Sequence, residues 1–158
     1  MYRTGIGYDS HRFSSGRKLI IGGVTIAFDK GLAGHSDADV LCHSIMDAIL
    51  GGAGLGDIGR HFPDTDARWK DASSIDMLKQ VVDLASVKGY RVVWTDSSII
   101  AEEPKLASHL ENMKKAIASA GISADRINLK ATTNEGMGFV GRGEGIAAIS
   151  ICTLQKTG

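Results

Sequence analysis

Two kinds of hydrophobic pattern alternate along this chain. Stretches rich in Ile, Val and Thr predict strands at residues 3–9, 18–27, 90–100, 126–132 and 146–154. Apolar residues at helical spacing predict helices over 38–52, over 74–88 and between Pro104 and Gly121. This order predicts a mixed α+β fold, in which helices pack on one face of a single, mainly four-stranded sheet.

Local signals indicate where these elements begin, bend and end. Asp37 is the expected N-cap of the first helix. Ser73 and Asp76 resemble a capping box for the second helix, and Gly89 is typical of a helix end. The pair Gly22-Gly23 predicts a bend within the second strand-like stretch.

Length and charge restrict the class of protein. The 158 residues predict one domain, residues 1–158, that is large enough to bury a full core. Eighteen basic residues balance eighteen acidic ones. No overall field therefore draws the chain to nucleic acid or to an anionic membrane, and we expect neither as a partner.

The cysteines and the apolar stretches bear on location. Cys42 and Cys152 form no bridge framework and no C-x-x-C motif, which favours two buried thiols in a reducing compartment. No targeting segment and no membrane-spanning stretch is evident. We expect a bacterial cytoplasmic location.

Candidate metal chemistry begins with Asp9 and His11. Residues two apart on a strand project from the same side, so both side chains can reach one ion. His43, on the polar face of the first helix, is the best third ligand, with Asp39 or Asp47 expected to orient its imidazole. One carboxylate and two imidazoles suit zinc with a vacant fourth position. The alternative is that these are partly exposed polar residues.

A glycine-rich segment, "KATTNEGMGFVGRGEG" at 130–145, indicates phosphate chemistry. Its hydroxyls, its backbone N–H groups and the guanidinium of Arg142 can donate hydrogen bonds to phosphate oxygens. Glu135 can hold a magnesium ion. The alternative is a plain glycine-rich hairpin.

Two other features have ordinary local interpretations. The "FPDTD" segment at 62–66 is typical of a turn, and His35 is typical of a histidine in a loop. The residues alone therefore indicate a metal-assisted enzyme acting on a phosphorylated small molecule.

Six motifs follow one another along the chain: "GYDSHRF", "IGGV", "GLAGHSDADVLCHSIMDAILGGAGLGDIG", "HFPDTD", "IIAEEPKL" and "KATTNEGMGFVGRGEGIA". In this order they resemble the 2-C-methyl-D-erythritol 2,4-cyclodiphosphate synthase family. The resemblance implies a cyclising, CMP-releasing phosphorus-oxygen lyase of the non-mevalonate isoprenoid route. Its substrate would be 4-diphosphocytidyl-2-C-methyl-D-erythritol 2-phosphate.

The resemblance also implies roles for individual residues. Zinc, or another divalent transition metal, would lie on Asp9, His11 and His43, and Glu135 would lie beside Mg²⁺ or Mn²⁺. His35 and Thr133 would stabilise the transition state. The implied substrate-binding residues are Ser36, Asp57, Ile58, Gly59, Phe62, Pro63, Asp64, Thr65, Asp66, Ala101, Pro104, Lys105, Leu106, Ala107, Thr132, Asn134, Phe139 and Arg142.

The family resemblance further implies a homotrimer with active sites between subunits. Phe139 and Arg142 would then face a central channel in which Arg142 contacts an isoprenoid diphosphate. Two departures affect the nucleotide end: Asn134 stands where many relatives have Thr, and Glu102-Glu103 occupy variable positions. The alternative functions are a non-catalytic cytidine nucleotide sensor and a metal-dependent phosphohydrolase.

Overall fold

A five-stranded sheet forms the centre of the structure. The computed structural model describes residues 1–158. Its strands are β1 (Tyr2–Ser14), β2 (Leu19–Ile21), β3 (Val24–Ile26), β4 (Gly31–Leu32), β5 (Tyr90–Ile100), β6 (Ile127–Thr132) and β7 (Gly145–Lys156). The sheet has the order β4-β1-β7-β5-β6, in which only β5 and β6 run parallel, while β2 and β3 form a separate hairpin.

Five α-helices and three short 3₁₀ turns connect the strands. The helices are α1 (Val40–Ala53), α2 (Ile58–His61), α3 (Ser74–Val87), α4 (Leu110–Ala118) and α5 (Gly138–Gly141), and the 3₁₀ turns cover Ala67–Trp69, Ala107–His109 and Ala124–Arg126. None of the helices combines the length and the apolar character needed to cross a membrane.

The predicted α+β class is confirmed, with two changes in detail. The sheet has four longer strands and a fifth, β4, because Gly31 and Leu32 pair with the end of β1. The third predicted helix starts later than expected, since a 3₁₀ turn precedes α4 at Leu110. The predicted bend at Gly22-Gly23 is the β2–β3 turn, where both glycines have positive φ.

The carboxylate of Asp39 corrects the expected helix cap. Asp39, not Asp37, is the N-cap of α1 and accepts from the Cys42 N–H at 3.0 Å. It also accepts from the N–H groups of Gly22 and Gly23 at 2.8 and 2.7 Å. A fourth bond comes from Ser74 Oγ at 2.7 Å. These bonds satisfy a fully buried charge and join the hairpin, α1 and α3.

Helix α1 lies closely against β1 because two glycines leave room for it. A Cβ atom built on Gly5 would overlap the carbonyl oxygen of Ala48, and one built on Gly7 would overlap that of Ser44. Gly5, Gly7, Asp9 and His11 share one side of the strand by the two-residue period. The helix therefore crosses the same face of β1 from which the two candidate ligands project.

We expect Gly7→Ala to destabilise the protein by at least about 2 kcal/mol, because the added methyl overlaps a backbone atom that cannot rotate away. Urea unfolding measures the loss. The control is Gly51→Ala, where the nearest atom to a new Cβ is 4.0 Å away. Alanine is up to about 1 kcal/mol better than glycine in a helix, so this variant should match or exceed wild type. Unchanged stability of Gly7→Ala would contradict the close contact.

Candidate active site

The side chains of Asp9, His11 and His43 converge between β1 and α1. His11 Nε2 lies 2.8 Å from Asp9 Oδ2, and His43 Nδ1 lies 3.1 Å from the same oxygen. The two imidazole nitrogens are 3.2 Å apart. One donor atom from each residue thus lies within 4.8 Å of the other two, and all three residues are half-buried. The structure therefore brings together the three predicted metal ligands.

Hydrogen bonds on the far side of each imidazole orient its ring. His11 Nδ1 lies 2.7 Å from the Ala33 carbonyl oxygen, which can only accept, so this nitrogen carries the proton. His43 Nε2 lies 3.1 Å from Ser36 Oγ. When Nε2 donates to this hydroxyl, His43 Nδ1 keeps a lone pair directed at Asp9 that a metal ion can use. The expected orienting role of Asp39 or Asp47 is wrong.

Both acidic residues are occupied elsewhere. The Asp39 carboxylate binds the four groups described above. Asp47 Oδ1 accepts from the N–H of Ile58 at 2.7 Å. Burial raises the pKa of Asp47, and the Ile58 N–H opposes that shift. Ser36 thus supplies the polar contact to the His43 imidazole that the sequence pattern predicts for Asp39 or Asp47.

The donor set fits a divalent cation. Because Nδ1–H of His11 donates to the Ala33 carbonyl oxygen, a neutral His11 presents the lone pair of Nε2 to the Asp9 carboxylate oxygen and to the His43 Nδ1 atom. Three electron-rich atoms at such distances repel one another unless a proton or a metal ion lies among them. Two imidazoles and one carboxylate are a catalytic metal set with room for a further ligand.

Protons compete with a metal at this centre. Burial raises the pKa of Asp9, but the hydrogen bonds and charges of His11 and His43 outweigh burial and lower it to about 2. Burial lowers the pKa of His11, but its hydrogen bond to Asp9 and the Asp9 charge raise it above the usual value of 6.5. In the metal-free protein, His11 therefore holds a proton to a higher pH than free imidazole does.

The loop that contains His35 lies beside the triad. His35 Nε2 is 3.0 Å from the Asp66 carbonyl oxygen, which links this loop to the "FPDTD" segment. The guanidinium of Arg17 donates to the carbonyl oxygens of Gly34 and Ser36, at 2.6 Å each. Sequence reasoning missed Arg17, since an arginine that binds only backbone oxygens leaves no local motif.

Residues 57–66 form a second loop next to α1. Asp57 caps α2 by accepting from Arg60 N–H at 3.0 Å. Phe62 is buried against Trp69, at 4.8 Å between ring centroids. Asp64 and Thr65 are exposed. The remaining predicted contacts in this loop are half-buried or exposed: Ile58, Gly59, Pro63 and Asp66.

Another group of predicted residues lines a small cavity at the β6 edge of the sheet. The cavity holds about 140 Å³ and is lined by Ala101, Pro104–Ala107 and Ala131–Thr133. Thr133 Oγ1 lies 3.4 Å from Glu135 Oε1. The structure thus joins the predicted segment at 101–107 with the start of the glycine-rich segment.

The cavity and the triad lie on different parts of the sheet. Asp9 on β1 pairs with Ala148 on β7, Ala148 pairs with Ile99 on β5, and Ile99 pairs with Ala131 on β6. Three strand spacings amount to about 14 Å. Within one chain, the candidate metal ligands and the cavity are therefore at a distance from each other.

Phe139 and Arg142, both within the glycine-rich segment, line two different cavities, and Arg142 lines the smaller one of about 240 Å³. Phe139 lines a cavity of about 680 Å³ together with Arg12, Phe13 and Lys30. Arg142 is exposed and forms an ion pair with Glu144 at 2.8 Å. This ion pair is a structural alternative to the predicted contact of Arg142 with a diphosphate.

Comparison with known proteins decides the family. A protein-family model described as "YgbB family" matches residues 2–155, almost the whole chain. The chain belongs to the YgbB family. A YgbB-family relative from Alkaliphilus oremlandii, named 2-C-methyl-D-erythritol 2,4-cyclodiphosphate synthase, is 59% identical over 98% of this chain and 99% of its own length.

Solved structures of similar proteins show the same fold. The bifunctional IspDF of Campylobacter jejuni has a TM-score of 0.94 and 44% identity; it covers 99% of this chain, which spans only 42% of that longer protein. A Plasmodium falciparum IspF, solved as a CDP complex, has a TM-score of 0.86 and 31% identity, covering 99% of this chain and 97% of its own.

We expect metal affinity at the triad to fall as the pH is lowered. His11 must lose its proton to bind a metal, and its raised pKa moves that competition above pH 6.5. Below that pKa, affinity should fall by about tenfold for each unit by which the pH is lowered, because the metal must displace one proton from His11. Competition of Zn²⁺ or Co²⁺ with a chelator between about pH 6 and 8 measures it. A pH-independent affinity would contradict the assignment of His11 as a ligand.

Proposed function

We propose that this chain is a 2-C-methyl-D-erythritol 2,4-cyclodiphosphate synthase. It converts 4-diphosphocytidyl-2-C-methyl-D-erythritol 2-phosphate into the cyclic diphosphate and CMP. The observation that carries the proposal is the convergence of Asp9, His11 and His43, with both imidazoles held from behind. The full-length relatives of the same name support the choice of substrate.

The substrate supplies its own nucleophile. An oxygen of the 2-phosphate forms a bond to the β-phosphorus, and the bond from that phosphorus to the oxygen bridging to the α-phosphorus breaks. CMP leaves with the bridging oxygen, so no water is consumed. Because all reacting groups are anions, the protein mainly has to orient them and reduce their repulsion.

Metal ions would provide much of the charge compensation. Asp9, His11 and His43 would hold zinc, or another divalent transition metal, which when bound polarises a phosphate oxygen. Glu135 is exposed next to Thr133 and would lie on the side of Mg²⁺ or Mn²⁺ that accompanies the diphosphate. The choice of each metal is inferred from its ligand chemistry.

The chain's own residues orient the two ends of the substrate. His35, with Nε2 directed at Asp66, and the Thr133 hydroxyl would contact the phosphates on opposite sides of the reacting bond. The loop with Asp57 and residues 62–66 would receive the erythritol phosphate. The 140 Å³ cavity would receive the cytidine diphosphate, and the CDP complex of a relative supports that nucleotide.

We further propose a homotrimer with active sites between subunits. One subunit separates the triad from the cavity by about 14 Å across three strand spacings, so neighbouring copies would bring the two halves together. The sheet face opposite α1 is apolar and exposed: Ile6 pairs with Ile151 and Tyr8 with Ile149, and Ile6 and Tyr8 are 64% and 55% exposed. Such a patch is typical of an assembly surface.

The 680 Å³ cavity supports one more partner. Phe13 and Phe139 give it apolar surface, while Arg12 and Lys30 add two positive charges against the one negative charge of Glu144. In a trimer this space would open toward the shared axis, and Arg142 would present its guanidinium to an isoprenoid diphosphate. Its pairing with Glu144 would then have to open.

Phosphorus NMR of the reaction tests the proposed activity. We expect one cyclic diphosphate plus CMP; two linear phosphates would indicate a hydrolase, and no turnover with retained nucleotide binding would indicate a sensor.

His43→Ala should fold, lose bound zinc and lose turnover, because two ligands hold the ion poorly. The control is His109→Ala, which removes a histidine outside the site. Full activity of His43→Ala without zinc would refute the metal assignment.

The assembly makes a separate prediction. We expect Ile151→Lys to yield monomers without synthase activity, because a buried, unpaired ammonium opposes association. Sedimentation velocity measures the oligomeric state. Val87→Lys is the control: Val87 is 88% exposed at the end of α3, away from the sheet face. Trimers and normal turnover in Ile151→Lys would contradict the proposed interface.

A further inference from the structure

The carboxylate of Glu102 makes an unusual contact with the glycine-rich segment. Its Oε1 atom accepts from the Asn134 N–H at 2.9 Å and from the Gly136 N–H at 3.3 Å. Glu102 is half-buried, and its partners lie more than thirty positions away in the chain. One side-chain oxygen therefore connects two segments that are distant in sequence.

The turn that receives this oxygen needs an acceptor. Glu135 and Gly136 both have positive φ, 52° and 76°. Consecutive residues of this kind point their backbone N–H groups toward one concave side. The Glu135 N–H is bonded to Thr133 Oγ1 at 3.3 Å, and Glu102 takes the N–H groups on either side of it. The three amides thus all have partners, and the Thr133 hydroxyl is part of the same arrangement.

The two connected segments are the two walls of the 140 Å³ cavity. Ala101 and Pro104–Ala107 form one wall, and Ala131–Thr133 form the other. Lys105 Nζ donates to the Glu102 carbonyl oxygen at 3.1 Å, which holds the first wall at the same residue. Glu102 therefore connects the segment of one wall to the turn that directly follows Thr133 in the other.

We propose that Glu102 is a positioning residue that sets the affinity of this cavity for a nucleoside diphosphate. The inference rests on the proposed function for the identity of the ligand. Glu102 acts through the turn at 133–136 and does not itself touch the nucleotide. Binding then costs less ordering of the turn, because the turn is already held in place.

The acceptor atom matters here, whereas the negative charge opposes an anionic ligand. A single oxygen, Oε1, receives both N–H groups. Glutamine also has one side-chain carbonyl oxygen, so Glu102→Gln can keep both bonds while removing the charge. Alanine removes the acceptor and the charge together. The two variants therefore separate geometry from electrostatics.

Calorimetric titration with CDP in the presence of Mg²⁺ is the first measurement. We expect Glu102→Ala to weaken CDP binding by at least about fivefold, because it removes the acceptor of both hydrogen bonds that hold the turn. Glu102→Gln should bind at least as tightly as wild type. Glu103→Ala is the matched control, since it removes the adjacent carboxylate, which is exposed.

Hydrogen exchange of the free proteins is the second measurement and needs no ligand. In Glu102→Ala the amides of Asn134 and Gly136 should exchange faster than in wild type, while Glu102→Gln and Glu103→Ala should protect them as wild type does. Unchanged exchange in Glu102→Ala, or wild-type affinity for CDP, would overturn the inference. A wild-type protein that binds no CDP would instead overturn the proposed nucleotide function, whatever the exchange result.

Discussion

The close approach of α1 to β1 is the contact on which the candidate active site depends. Gly5 and Gly7 remove the side chains that would collide with the helix backbone at Ala48 and Ser44. The next residues on the same side of the strand are Asp9 and His11, which therefore meet the N-terminal half of the same helix. With an ordinary interaxial distance, the His43 imidazole would not come within 3.1 Å of Asp9.

Bringing three donors together has an electrostatic cost that the surroundings manage. The Ala33 carbonyl and the Ser36 hydroxyl orient the two rings, and Arg17 holds the carbonyl groups on both sides of His35. A buried charge on Asp39 fixes the start of α1 relative to the β2–β3 hairpin and α3. Groups outside the triad thus perform most of the positioning, and the donor atoms of Asp9, His11 and His43 remain free to bind a cation.

The sequence predicted the elements and the triad but not their supports. Alternation on β1 and the helical face of His43 are local, periodic signals, so the three ligands could be read from spacing. Asp37 and Asp39 are equally good caps by sequence, and only the distant glycines of the hairpin and Ser74 favour Asp39. Ser36 and Glu102 likewise act on groups that the fold, not the spacing, brings near them.

The distance between the triad and the 140 Å³ cavity within one chain is the geometric basis of the proposed shared active site. Metal ligands come from the α1 side of β1, while the cavity lies three strands away at the β6 edge. In the proposed trimer, a second copy would supply one half, so that the reacting phosphates meet the metal ligands of one chain and the nucleotide cavity of another. The exposed apolar face of the sheet gives such copies a surface on which to associate. Catalysis and assembly would then depend on the same sheet, since its covered face builds the metal centre and its open face brings the two halves together.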